Sequence, residues 1–347
     1  MKIWFPVGVL VFASLVMLSS ISSSFLLLQL GWLAAGIVIV GVMFALERAG
    51  MLRAGWFSWT VYGVAVALLL ITLFVAPGIR NTRSWLVFGP FHFQPVELAK
   101  LALILVFAQY FSRRHLSIAR LRYVFISGGI CAVPVLLTLL QPDLGSAIIL
   151  VGLWFGFLLV SGLPRKWIIA SLVLFVIALA IGWSVFLKDY QRDRIAAVFY
   201  PERNALGINY SVIQSKIAIG SAGFWGKGYG QGSQTQLGFL TDPATDFIFS
   251  ALVEEWGRIA GLIIIAALVF LCIGILREGL RAETNFEKFV SLGMVVVFGL
   301  HFLVNTGSAV GLLPVIGVPF PFLSYGGSNM LLNFSLVGAF YAIRRRS

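Results

Sequence analysis

An all-α polytopic membrane protein with about ten transmembrane helices is the fold class this sequence predicts. Three observations carry that reading. Of 347 residues, 60% are hydrophobic and only 11% charged, with a mean hydropathy of +0.98, a balance foreign to soluble domains. Apolar runs of about 18 residues or more recur throughout, each long enough to cross a ~30 Å hydrocarbon core. The connectors alternate between two kinds, of which one is strongly basic. Spans in such a chain must be helices, because open sheet edges cannot sit in lipid.

The first stretch, MKIWFPVGVLVFASLVMLSS, has the apolarity of a signal peptide. It lacks a small-x-small cleavage site and runs at once into further spans, so it reads as an uncleaved first helix at about 5–25. The next nine spans fall at about 29–46, 56–75, 96–111, 123–140, 144–161, 167–187, 259–276, 288–310 and 328–343. One set of connectors, 47–55, 112–122, 162–166 and 277–288, joins Lys2 and the C-terminal RRRS to hold fifteen Lys/Arg against four acids, Glu47, Glu278, Glu283 and Glu287. The positive-inside rule places that side, with both termini, in the cytoplasm. The remaining ten Lys/Arg and nine Asp/Glu fall on or near the outer face. Nucleic acid is excluded as a partner, since the basic excess is split into short, topology-setting clusters. Cys131 and Cys272 lie in apolar runs and imply no disulfide framework. His92, His115 and His301 have no metal-ligand spacing.

Three outer connectors are long: 76–95, about 188–258, and 311–328. They are aromatic and apolar, which argues against disorder: they either cap the bundle in the interface, with Trp85, Trp225 and several Phe as anchors, or serve function. The last, GLLPVIGVPFPFLSYGGS, combines Pro and Gly with apolar residues, a backbone tolerated at membrane depth only inside protein or along a cavity. Its Gly-Gly-Ser end leaves backbone N–H groups at a helix N-terminus, a suitable anion site. GSAGFWGKGYGQGSQ (220–234) fails as a phosphate loop, because Gly228 follows Lys227 where Ser or Thr is required. It reads instead as a flexible turn region presenting Lys227.

Charged residues gather in four places. FQPVELAK (93–100) opens the fourth helix with Pro95 in the first turn and Glu97 near the positive dipole end. Lys100, three residues on, shares its face, as an internal ion pair, a functional pair or both. QPDLGS (141–146) repeats the device, and Asp143 reads most simply as a helix-terminus carboxylate. In KDYQRDRI (188–195), Lys188 and Arg192 share a helical face with Arg194 close behind, suited to anionic lipid or to a lipid-linked phosphate. TDPATDFIFSALVEEWG (241–257) carries four carboxylates ahead of a span. Glu254 and Arg258 stand at i,i+4, which suggests a structural pair. Asp242 before Pro243 suggests a helix cap. Asp246 has no cation nearby in the sequence. It is either a second cap or a general base whose pKa partial burial would raise.

With these stretches in view, the sequence resembles the SEDS family (shape, elongation, division and sporulation), the RodA/FtsW membrane glycosyltransferases. The resemblance covers nearly the whole chain and rests on FQPVELAK, QPDLGS, KDYQRDRI, NYSVIQSKIAIGSAGFWGKGYGQGSQTQLGFL, TDFIFSALVEEWG and GVPFPFLSYGGS, in that order. Two positions depart from the family pattern: Val96 stands where Ser is usual, and Thr241-Asp242 where Pro-Glu is usual. Short termini resemble the RodA branch more than the FtsW branch.

The resemblance implies one integral membrane domain over 1–347 with ten spans and cytoplasmic termini, set in the bacterial cytoplasmic membrane. It implies a large extracellular loop between spans seven and eight. It also implies polymerisation of lipid II into glycan strands for cell-wall elongation and cell shape, with a class B penicillin-binding protein as partner. The reaction is attack of the acceptor's sugar 4-hydroxyl on the donor's anomeric carbon, expelling lipid diphosphate. Diphosphate leaves well, so one base and cations around it suffice, unlike the carboxylate pair of glycosidases. The expected base is Asp246. Lys100, Arg192, Arg194 and Lys227 are the expected diphosphate ligands, with Glu97 orienting Lys100. No cofactor is evident; a divalent cation at the diphosphate stays open, since such sites need no ligand signature. The rival class is a transporter of the lipid-linked precursor, which uses buried charges and broken helices too. Against it, the charged motifs cluster on one side. A mere scaffold for the partner would not need Asp246.

Overall fold

The computed structural model describes residues 3–79, 82–89, 91–113, 121–161, 164, 166–173, 189–199, 207 and 209–346. In chain order its elements are α1 (Trp4–Ile21), α2 (Ser23–Arg48), α3 (Gly55–Val75), β1 (Leu86–Phe88), β2 (Phe91–Phe93), α4 (Pro95–Ser112), α5 (Leu121–Leu140) and α6 (Leu144–Val160). Residues 166–173 form α7. There follow α8 (Asp189–Phe199), α9 (Tyr210–Ser221), α10 (Ser233–Gln236), α11 (Ile248–Leu280), α12 (Asn285–Ala309) and α13 (Gly327–Arg346).

The protein is thus a helical, polytopic membrane protein. Among the described residues seven helices are long and apolar enough to cross a bilayer, and α6 is a shorter apolar helix. α13 has the length of a span, its hydropathy diluted by its terminal arginines. Most of the expected seventh span, 174–187, lies outside the described residues, and α7 is its start. The expected outer loops carry structure of their own. A β1–β2 hairpin with Leu86 opposite Phe93 lies in 76–95, and three helices lie within 188–258.

The chain divides into two compact units. The first comprises Met1–Leu33, Leu187–Gly274 and Phe298–Met330; the second comprises Ala34–Phe186, Ile275–Val297 and Leu331–Ser347. Helices α2, α11, α12 and α13 run from one into the other.

In the second unit α4 is a deeply enclosed helix, with 78% of its span buried. It carries Glu97 and Lys100 buried at 3% and 2% exposure, which suits a helix surrounded by others rather than by lipid. α3, α5 and α6 pack on it, and Phe107, Phe111, Phe157 and Phe289 interlock with ring centroids 5.4–6.0 Å apart. The first unit has its own aromatic core, where Phe320 stacks on Phe249 at 6.1 Å and meets Phe302 edge-on at 5.7 Å.

Candidate active site

Helix α11 is not continuous. Gly257 sits at φ 84°, ψ 173°, a conformation essentially closed to residues with a Cβ, and breaks the helix after nine residues. The break frees backbone groups that lipid cannot satisfy. The Gly-rich loop supplies their partners. The N–H groups of Lys227 and Gly228 donate to Glu254 O and Glu255 O at 3.0 and 2.9 Å, and those of Arg258 and Ile259 donate to Gly223 O and Phe224 O at 3.2 and 3.3 Å. The two backbones touch at Gly226 and Gly257: a Cβ on Gly226 would lie 2.2 Å from Glu255 O, and one on Gly257 would lie 2.1 Å from Phe224 O. The Gly-rich segment is therefore bonded backbone to backbone, where a flexible turn was expected.

The two carboxylates just before the break are fully buried and hold the same loop. Glu254 accepts from Lys227 Nζ (2.8 Å), Gln234 N (2.8 Å), and Thr235 N and Oγ1 (3.1 and 2.9 Å). Glu255 accepts from Ser20 Oγ of α1 at 2.7 Å, Gln236 Nε2 at 2.8 Å and Gly230 N at 3.2 Å. The expected i,i+4 pairing of Glu254 with Arg258 does not form. The spacing presumes an intact helix, and Gly257 lies between them. Arg258 turns instead to Gly220 O at 3.1 Å and to the Phe224 ring at 6.0 Å. Lys227 is held by Glu254 and by Ser233 Oγ, at 2.8 Å each, with about a quarter of its side chain still exposed.

Asp246 lies two residues ahead of α11 and is half-buried. Its backbone is fixed from two sides. Asn305 of α12, 1% exposed, donates its amide to Asp246 O at 3.0 Å and to Val318 O at 2.9 Å, tying this segment to the Pro/Gly-rich loop. That loop reciprocates: Ser324 Oγ donates to Thr245 O at 2.7 Å and Tyr325 N to Ala244 O at 2.8 Å. One turn before Asn305, His301 contacts Pro319 O at 3.1 Å. Burial pushes the Tyr325 hydroxyl pKa up, partly offset by a Trp32 hydrogen bond, so the phenol stays neutral at physiological pH. Asp242 is no helix cap: it is exposed at φ 48°, and its carbonyl accepts from Thr245 N and Phe247 N, which closes a turn ahead of the helix.

The remaining expected site residues are distributed as follows. Arg192 is half-buried and Arg194 exposed on α8, where Arg194 donates to Val315 O at 3.2 Å. Lys188 lies outside the described residues. Asp246, Arg192, Arg194 and Lys227 belong to the first unit; Glu97 and Lys100 belong to the second. Lys100 Nζ donates to Glu97 Oε1 at 2.9 Å, with side chains 2% and 4% exposed. Glu97 Oε2 is buried with no hydrogen-bond partner among the described residues. A buried acceptor left unmet costs about 1–3 kcal/mol. Asp143 caps α6 as expected, accepting from Ser146 N at 3.0 Å, and it also takes Gln94 Nε2 at 2.9 Å from the residue before α4. Among the described residues no group of three or more His, Cys, Asp or Glu is placed to hold a metal.

Sequence reasoning passed over Asn305, Ser324, Tyr325, Ser20 and Gln236. One signal was available: His301 and Asn305 are polar residues four apart in an apolar span, and such residues ask for partners.

A helical membrane protein with a braced helix break and a carboxylate on a clamped backbone is what these features define. Residues 1–347 match the family of cell cycle proteins FTSW_RODA_SPOVE, and the chain belongs to that family. It is 35% identical to the peptidoglycan glycosyltransferase MrdB of Escherichia coli K12, over 97% of this chain and 92% of that one. It is 34% identical to the stage V sporulation protein E of Bacillus subtilis 168, over 84% of this chain and 80% of that one. Among solved structures it superposes with TM-score 0.84 and 30% identity on a chain of a peptidoglycan synthase complex described as coordinating polymerization and crosslinking, covering 99% of this chain and 97% of that one. The rod shape determining protein RodA of Thermus thermophilus follows at TM-score 0.75 and 27% identity, covering 99% and 95%.

Proposed function

We propose that the protein is a peptidoglycan glycosyltransferase that polymerises lipid II at the outer face of the bacterial cytoplasmic membrane, serving wall elongation and cell shape. Its working partner is a class B penicillin-binding protein, which cross-links the strands it makes. Both termini lie in the cytoplasm, which puts Asp246, Lys227 and the start of α4 on the outer side.

The observation that carries the reading is Asp246: a half-buried carboxylate whose backbone is locked by Asn305 and by the loop running to Tyr325. Locking matters because a base must stay within hydrogen-bond reach of the hydroxyl it deprotonates. Asp246 takes the proton of the acceptor's 4-hydroxyl as that oxygen attacks the donor's anomeric carbon. The bond to the diphosphate oxygen breaks, and the diphosphate leaves with the electron pair. Arg192, Arg194 and Lys227 supply positive charge for that leaving group; a part for Lys100, oriented by Glu97, rests on the family resemblance. Purified protein mixed with lipid II should yield glycan polymer, separable by length on a gel. Movement of lipid II across vesicle membranes with no polymer would refute this reading and favour transport.

A further inference from the structure

Away from these residues, the second unit contains a cavity of about 380 Å³ at the ends of α2 and α13, lined by Phe44, Glu47, Arg48, Ala342 and Arg345. Both helices contribute the same sequence of groups. On α2, Phe44 lies one turn inside Arg48; on α13, Ala342 lies one turn inside Arg345. The cavity therefore changes along its length from apolar, toward the helix interiors, to cationic at the helix ends. Among the described residues its one lining carboxylate, Glu47, is 2% exposed and accepts from Arg53 Nε at 2.6 Å. Arg53 also bonds Glu287 and Ile343 O, while Arg344 pairs with Glu278. Arg345 is exposed and meets no carboxylate among the described residues. Arg48 is exposed at the same mouth.

We propose that this cavity is a binding site for an anionic phospholipid, with Arg48 and Arg345 on the headgroup phosphate and the first acyl carbons against Phe44 and Ala342. Guanidinium groups grip phosphate oxygens in pairs, and basic pockets between transmembrane helices hold anionic headgroups. The size fits a headgroup with its glycerol rather than a bare ion. A free phosphate would use the two arginines but leave the apolar end unfilled. The site is separate from the glycosyl-transfer residues and does not depend on that assignment.

The test is native mass spectrometry of delipidated, detergent-solubilised full-length protein titrated with phosphatidylglycerol. Wild-type protein should retain phosphatidylglycerol at least tenfold more tightly than Arg48→Gln/Arg345→Gln, with Arg345→Gln intermediate. Arg281→Gln, an exposed arginine that does not line the cavity, should match wild type. Inorganic phosphate at millimolar concentration should leave the lipid bound. Equal retention by wild type and the double variant would overturn the proposal. Displacement of the lipid by inorganic phosphate would overturn the lipid assignment in favour of a free anion.

Discussion

Asp246→Asn keeps the size of the side chain and removes its basicity. Polymerisation should fall by about 10²-fold or more, the usual worth of a general base, with expression and thermal stability unchanged. Asp242→Asn is the matched control. Asp242 is exposed at φ 48°, which Asn tolerates well, so activity should stay within about twofold of wild type. A well-folded Asp246→Asn protein that polymerises normally would return Asp246 to a structural role. Glu97 and Lys100 require a paired design, because removing one partner of a buried ion pair destabilises by about 3–5 kcal/mol whatever its function. Glu97→Gln alone should lower both Tm and activity. Glu97→Gln/Lys100→Met removes both charges and should recover most of the lost stability. If the pair serves the reaction, the double variant stays inactive; recovered activity would make it purely structural. Glu97 and Asp143 were legible in the sequence because each closely follows a proline that announces a helix start, and Lys100 because it stands three residues after Glu97. Asn305 was not, because its partners, Asp246 O and Val318 O, are 59 and 13 residues away.

At the scale of elements, the joint between α11 and the Gly-rich loop is the least local feature of the molecule. Gly257→Ala places a Cβ against Phe224 O and imposes a backbone conformation that alanine avoids. A cost of about 1–3 kcal/mol in strain alone is expected, and trypsin or chymotrypsin should cut the 223–236 segment faster than in wild type. Unchanged cleavage would mean the loop is held without the joint. Asn305→Ala frees the Asp246 backbone without touching its carboxylate, so kcat should drop about tenfold or more with KM near its wild-type value. Equal change in both constants would argue against a positioning role. The sequence reading began the eighth span at about 259 and left Glu254 and Glu255 ahead of it, whereas α11 begins at Ile248. Their partners, Lys227, the backbone of 230–235 and Ser20, are visible only in three dimensions. The Glu254–Arg258 spacing misled for a related reason: it takes an intact helix for granted, and the glycine that breaks it was in plain sight.

For the whole molecule, the alternation of basic and mixed connectors makes a topological statement that labelling can check. In a Cys131→Ala/Cys272→Ala background, Gln231→Cys and Glu283→Cys both place a thiol at an exposed position. The first should react with an impermeant maleimide on intact cells, and the second only after permeabilisation. The reverse pattern would invert the proposed orientation. Among the described residues the order of the apolar helices was readable because lipid imposes one requirement on every span: about 20 apolar residues and all backbone bonds made internally. No comparable rule governs the long connectors, so their hairpin and the helices α9 and α10 went unread.

The joint at Gly257 also sets an order of events during synthesis. The loop residues Gly223–Gly228 leave the ribosome ahead of their partners, Glu254–Ile259, which arrive about 30 residues later. Until then Lys227 and the donors of residues 230–235 have no carboxylate to meet. A chain interrupted before Glu254 would carry an open, protease-sensitive loop, whereas a finished α11 closes it at one stroke. The bonds that brace the finished protein are thus all absent from a chain that stops short of Glu254.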